Sequence, residues 1–191
     1  TRSISFLLFK MRKSKVLDSS FFNRSTVEVA RELIGKWLCR RASESSESFR
    51  MRICETEAYD GPEDKACHAH RGKTARNEVM FGPAGHWYVY LCYGMHWMLN
   101  AVTGPVDYPA AVLIRGCCGV VGPGRLTKAF SVNRDCDRLE IAERSGLWVE
   151  DDNFVVNCDE IAIGPRIGIG YAGPEWEHKP FRFVWKPPLE A

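Results

Sequence analysis

The sequence predicts one globular domain that mixes short helices with a run of strands, and three observations point there. Its 191 residues suit one domain, since domains most often run about 100–150 residues. Hydrophobic residues at 45% against 26% charged give an ordinary globular balance with enough apolar surface for a core, which excludes disorder, collagen and coiled coil. Apolar periodicity switches between the strand and helix periods along the chain, with no internal repeat, low-complexity tract or interdomain linker.

The first stretch carries Arg2, Lys10, Arg12, Lys13 and Lys15 with no acid, so residues 1–16 read as a basic arm, expected to be poorly ordered. Its apolar run from Ile4 to Phe9 is far short of the roughly 20 residues of a membrane span and lacks a small-residue cleavage site. Neither a membrane anchor nor a signal peptide is expected. A helix follows over 26–34, where Ser25 and Glu28 fit a capping box, Val27, Ala30, Leu33 and Ile34 share a face, and Gly35 ends it. Residues 36–40 and 50–59 then read as two strands of a hairpin joined by the polar linker 42–48. In the second strand, alternation puts Met51, Ile53, Glu55, Glu57 and Tyr59 on one face and Cys54, Thr56 and Ala58 on the other. Residues 61–85 form a long polar loop, and loops of that length are usually functional. Strands are expected over 86–93, 95–102 and 110–115, the first two meeting at Gly94. Gly122-Pro123-Gly124 opens a short helix to about Phe130, and short strands and turns run on to Trp185.

Eight cysteines include no CxxC pair. Cys39, Cys54, Cys92, Cys117 and Cys118 sit in apolar runs, where a reduced thiol behaves as a small hydrophobe, so an intracellular compartment is expected. A net charge of +2 permits a nucleic-acid partner without demonstrating one.

Three groups of residues are equipped for chemistry. Glu57, at the end of a half-buried strand beside a polar loop, is placed to take a proton from water; the alternative is that Glu55 and Glu57 are solvated or pair with Arg50 and Arg52. Tyr88 and Tyr90 share a strand face suited to stacking on bases, and Tyr93 beside Gly94 suits a wedge; the alternative is that Trp87 and Tyr88 simply pack. Cys67, His68, His70, His86 and His96 invite a metal, but no zinc-site spacing joins them. Arg71, Lys73, Arg76, Arg125, Lys128 and Lys179 are either a phosphate-tracking surface or solvated charge.

Taken together, Glu55-Thr56-Glu57-Ala58-Tyr59, Gly61-Pro62-Glu63-Asp64, Ala66-Cys67-His68, Arg76-Asn77, Tyr88-Val89-Tyr90, Tyr93-Gly94-Met95, Asn100, Leu113-Ile114-Arg115, Gly122-Pro123-Gly124-Arg125 and Arg166-Ile167-Gly168-Ile169-Gly170 closely resemble the 3-methyladenine (alkyladenine) DNA glycosylase family, in order, from about Leu17 to Trp185. The resemblance implies an α+β fold: a single glycosylase domain over 17–191, with a curved, mostly antiparallel sheet, flanking helices and a protruding DNA-intercalating β-hairpin. It implies base-excision repair of double-stranded DNA containing a damaged purine, alkylated or deaminated. Tyr93 matches the intercalating plug. Tyr59, His68 and Tyr90 match the residues that sandwich the flipped base, the backbone around Ala66 to His68 matches the segment that reads its edge, and Asn100 matches the residue that crowds the exocyclic amine of guanine. Glu57 matches the general base, with Arg115 and the Ile167 backbone carbonyl holding the attacking water. The family is monofunctional and implies no metal or organic cofactor, and a monomer is expected. Ala75 stands where related sequences often carry proline, and Trp97 and Met98 fall at variable positions. A non-catalytic module that binds damaged DNA is the alternative function, and a metal-dependent hydrolase a more remote one.

Overall fold

The computed structural model describes residues 14–41 and 47–187. In chain order its elements are β1 (Lys15–Val16), α1 (Ser19–Phe22), α2 (Thr26–Glu32), β2 (Trp37–Arg40), β3 (Phe49–Tyr59), β4 (Trp87–Cys92), β5 (His96–Val102), β6 (Ala111–Cys117), β7 (Val120–Val121), α3 (Pro123–Ala129), β8 (Leu147–Asp151), β9 (Ile161–Gly164), α4 (Pro174–Glu177) and β10 (Arg182–Trp185). Every strand pairing is antiparallel, and the strands form one curled sheet in the order β1-β8-β2-β3-β6-β5-β4, with β10 bridging β3 to β9 and β7 on β6. This is the expected α+β domain.

The long strand β3 organises it. Its first half pairs with β2, Trp37 opposite Arg52, and its second half lies between β6 and β10. Where the partners change, register shifts flank Glu55. Such a bulge bends the strand and re-aims its side chains. The simple alternation expected for β3 therefore fails at its centre: Ile53 and Cys54 both enter the main core. Beyond the bulge Thr56 and Ala58 face the interior, the Thr56 hydroxyl donating to the Ala30 carbonyl of α2 at 2.7 Å.

Helix α2 forms where its apolar stripe calls for it and buries Val29 and Ala30. Ser25 occupies the N-cap position but makes no side-chain cap bond, so the expected capping box with Glu28 is not formed, and the helix stops at Glu32. Gly35 turns the chain with a φ of 85°, a left-handed conformation that glycine adopts without steric cost. The main core joins Leu33, Leu38, Trp87, Leu99, Ile114, Leu126, Phe130 and Phe183; burying each such side chain contributes about 1.5–3 kcal/mol. Helix α3 packs on β5 and β6, with the Thr127 hydroxyl donating to the Trp97 carbonyl of β5 at 3.0 Å.

Most of the basic arm (residues 1–13) and most of the hairpin linker (42–46) lie outside the described residues. Lys15 and Val16, which the sequence reading left in the arm, instead pair with β8. All eight cysteines are free. Among the described residues no helix is long and apolar enough to cross a membrane.

Candidate active site

The curl of the sheet brings the end of β3 against the loop 60–86 and the segment 166–172. Glu57 lies at this junction, wholly buried, with three donors on its carboxylate. The Ile167 N–H donates to Oε1 at 2.8 Å, and the Tyr59 hydroxyl (2.9 Å) and Arg115 Nη1 (3.3 Å) donate to Oε2. Burial pushes the pKa of Glu57 above the ordinary carboxylate value, while Arg115, the Ile167 N–H and the Tyr59 hydroxyl act against it. The result is a dry carboxylate held in one orientation and made more basic by burial, which suits a proton acceptor. Arg50 pairs with Glu150 and Arg52 with Asp152, so the alternative in which these arginines hold Glu55 and Glu57 is corrected. Glu55 instead accepts from Arg115 Nε at 3.0 Å and Arg182 Nε at 2.7 Å.

Beside Glu57 is a small cavity of about 50 Å³ lined by Tyr59, Ala66, His68, Met80, Tyr88, Tyr90, Asn100, Ala111 and Tyr171. Five of the expected site residues thus meet in one place. His68 and Tyr90 rings stand 4.5 Å apart between centroids, and Tyr88 and Tyr90 5.1 Å. Burial of Tyr59 raises its hydroxyl pKa well above the usual value, so it serves Glu57 as a donor. Loss of solvent around the His68 ring, with Arg76 nearby, brings its pKa down to about 4, leaving it neutral at pH 7. A neutral imidazole does not repel a cationic ligand. Asn100 spends its amide donors on the Tyr88 (3.0 Å) and Met98 (3.4 Å) carbonyls, which fixes the side chain against the cavity.

Outside this cavity a broader groove includes Lys65, Arg71, Arg76, Tyr93, Arg115 and Ile167. Tyr93 is at the tip of the β4–β5 hairpin, 88% exposed. It has a φ of 50° next to Gly94 at 67°, the pattern of the primed hairpin turns. A large aromatic residue held both in water and in the left-handed region is costly locally and points to a use outside the fold.

Tyr88, for which the sequence allows either base stacking or packing, is buried, and its hydroxyl lies 2.9 Å from His68 Nδ1. Other residues that build the site have no role legible in the sequence. Asn77 clips the loop, donating to the His68 and Gly72 carbonyls and accepting from the Thr74 N–H. Arg166, wholly buried with Asp64 as its ion-pair partner, lies 4.8 Å from the Tyr59 ring centroid. Asp64 also accepts from the Asp60 and Ala66 N–H groups. The sequence signal for this pair is that both partners lie in stretches that carry the family resemblance, Gly61-Pro62-Glu63-Asp64 and Arg166-Ile167-Gly168-Ile169-Gly170. Tyr171, whose hydroxyl donates to the Ala66 carbonyl at 3.2 Å, had none. The histidines do not converge: His70 and His86 each meet a backbone carbonyl, and among the described residues no three His, Cys, Asp or Glu side chains are grouped to hold a metal.

The site thus combines a desolvated carboxylate and arginine with an aromatic cavity that opens on a basic groove, chemistry suited to a flat heterocycle on an anionic chain. The model of the methylpurine-DNA glycosylase (MPG) family matches residues 20–121 and 118–188, and the chain belongs to that family. It is 41% identical to a protein of Psychrobacter cryohalolentis and 43% identical to one of Methanocella arvoryzae, over 90% of this chain and 92% of each relative. Both carry the name "Putative 3-methyladenine DNA glycosylase", as does an Anaeromyxobacter dehalogenans protein 42% identical over 88% of this chain and 82% of its own length.

Proposed function

We propose that the protein is a DNA glycosylase that takes an alkylated or deaminated purine out of the duplex into the Tyr59–His68–Tyr90 cavity and hydrolyses its N-glycosidic bond. The observation that carries this reading is Glu57, buried and triply hydrogen-bonded at the edge of a cavity with aromatic walls. Family membership and the names of the relatives support it.

Tyr93 fills the gap left in the stack, an exchange that offsets an unstacking cost of a few kcal/mol, smallest at damaged pairs. The purine lies between Tyr59 and the His68 and Tyr90 rings, with its edge toward the backbone of Ala66 to His68. Asn100, immobilised by its two carbonyl contacts, rejects guanine by crowding its exocyclic amine. A water enters between Arg115, the Ile167 carbonyl and Glu57. The Arg115–Glu57 contact, at 3.3 Å the longest of the three on that carboxylate, is where it gains access. The water oxygen bonds to C1′ as the C1′–N bond breaks, Glu57 takes the proton, and the bonding electrons leave with the purine. An N-methylated purine starts as a cation and departs neutral, so leaving-group protonation is not needed, whereas a neutral deaminated purine departs with the electron pair as an anion and must take up a proton from solvent. Glu57 as an anion also stabilises the oxocarbenium-like transition state. Water is the nucleophile, no lysine adduct forms, and the product is an uncut abasic strand.

Incubation of the protein with methylated duplex DNA in EDTA tests the reading by its products: free methylpurine and a strand broken only on later treatment with alkali are expected. Tight binding with no base released would instead make the protein a damaged-DNA binding module, and strand breaks without alkali would exclude the water-only mechanism.

A further inference from the structure

Two carboxylates and two arginines meet at the end of β3, and of these only Glu57 and Arg115 have a part in the reaction described above. The second carboxylate, Glu55, is 4% exposed and is turned toward Arg115 by the bulge in β3. One of its oxygens, Oε1, receives both Arg115 Nε (3.0 Å) and Arg182 Nε (2.7 Å), while Arg115 Nη1 continues to Glu57. The chain of contacts Arg182–Glu55–Arg115–Glu57 ties three strands together: β10 supplies Arg182, β3 both acids, and β6 Arg115. Opposite Glu55 on β6 is Gly116, where an added Cβ would make an ordinary 3.5 Å contact with the Glu55 Cβ.

We infer that Glu55 is a positioning residue for base excision: it anchors Arg115 through Nε, aims Nη1 at Glu57, and neutralises one of two arginine charges that would otherwise weaken Glu57 as a base. This rests on Glu57 being the general base. An arginine held only by Glu57 would fold onto that carboxylate and take the place the water needs. Two uncompensated guanidinium groups would also favour the ionised, less basic carboxylate. The groups acting on Glu57 are Arg115 on β6, Arg182 on β10, the Tyr59 hydroxyl on β3 and the Ile167 N–H; Glu55 reaches it through Arg115, and the buried Asp64–Arg166 pair lies behind Tyr59. Arg182 acts on Glu57 through its charge without bonding to it.

Glu55→Gln keeps the shape and one acceptor while removing the charge. Single-turnover base release from methylated duplex DNA, measured from pH 4 to 8, should fall about tenfold or more at pH 7. The acid limb of the profile should move down by about one pH unit, because removing a nearby negative charge lowers the pKa of Glu57. Arg182→Met should move that limb the opposite way, and the double variant Glu55→Gln/Arg182→Met should return it toward wild type. This opposition is not a consequence of loosened packing, and Arg182→Met alone carries the test if Glu55→Gln fails to fold. Acid limbs that stay in place in both single variants overturn the inference while leaving the proposed function intact. Full activity of Glu57→Gln in the same assay would instead remove the general base on which both rest.

Discussion

Asp64→Asn tests whether the buried ion pair behind Tyr59 is what fixes the site. Both side chains of the Asp64–Arg166 pair are completely buried, with Arg166 Nη1 on Oδ2 and Nη2 on Oδ1 at 2.9 Å. Asparagine keeps one acceptor, but in either orientation its amide turns donors toward Arg166 and toward the N–H of Asp60 or of Ala66, which Oδ2 and Oδ1 now receive. Arg166 still reaches the Ala58 carbonyl at 2.9 Å, yet its charge is left buried without a counter-ion. Breaking a buried pair from one side costs about 3–5 kcal/mol. In a chain of this size each kcal/mol lowers the melting temperature by about 2–4 °C, so a fall of about 6–20 °C is expected. Urea denaturation gives the free energy independently. Adding Arg166→Met removes the stranded charge and should recover part of the loss, since replacing both members of a buried pair is often close to neutral. A loss under about 1 kcal/mol for Asp64→Asn, or a double variant that is less stable still, would refute the reasoning.

Three further outcomes follow from the geometry. Tyr93→Ala should leave stability within about 0.5 kcal/mol, because the side chain is 88% exposed, yet lower single-turnover release from duplex DNA by roughly tenfold, about 1.4 kcal/mol of lost insertion; an equal loss on single-stranded substrate would contradict the wedge. Asn100→Ser should increase release of undamaged guanine, and unchanged selectivity would place the clash elsewhere. The wild-type pH profile should have an acid limb above the ordinary carboxylate range, since burial raises Glu57 and activity needs the deprotonated form. The same shift means the folded state binds that proton more tightly than the unfolded one, so the contribution of Glu57 to stability grows as pH falls through its folded pKa and is lost above it; melting curves of wild type and Glu57→Gln across that interval should converge at high pH less well than at low pH.

Patterns that depend on neighbours in sequence were legible. The α2 stripe, the β2–β3 hairpin, the β4–β5 hairpin with Tyr93-Gly94 at its tip and the Pro123 start of α3 all follow from periodicity and turn chemistry, and the structure reproduces them. What failed depends on distant partners. Glu55 and Glu57 looked toward Arg50 and Arg52, three to seven positions away, but the sheet delivers Arg115 and Arg182 from β6 and β10 instead. Strand alternation gave no sign of the bulge at Glu55, because a bulge answers to the partner strand as much as to its own residues. Ser25 and Glu28 have the right spacing for a capping box, yet spacing does not set the side-chain rotamers. Gathering Tyr59, His68, Tyr90 and Asn100 around one cavity required the family resemblance, since these positions come from three different elements and a loop.

The central claim is that Glu57 activates water at the glycosidic bond, and the most direct measurement is single-turnover base release from methylated duplex DNA by wild type and Glu57→Gln in EDTA, with duplex binding measured alongside. Glutamine retains the shape and an acceptor for the Ile167 N–H but cannot take the proton. Binding within a few-fold of wild type with release lowered by at least about a hundredfold, the general range for a lost acid–base group, is the predicted result; release by Glu57→Gln at the wild-type rate would contradict the account.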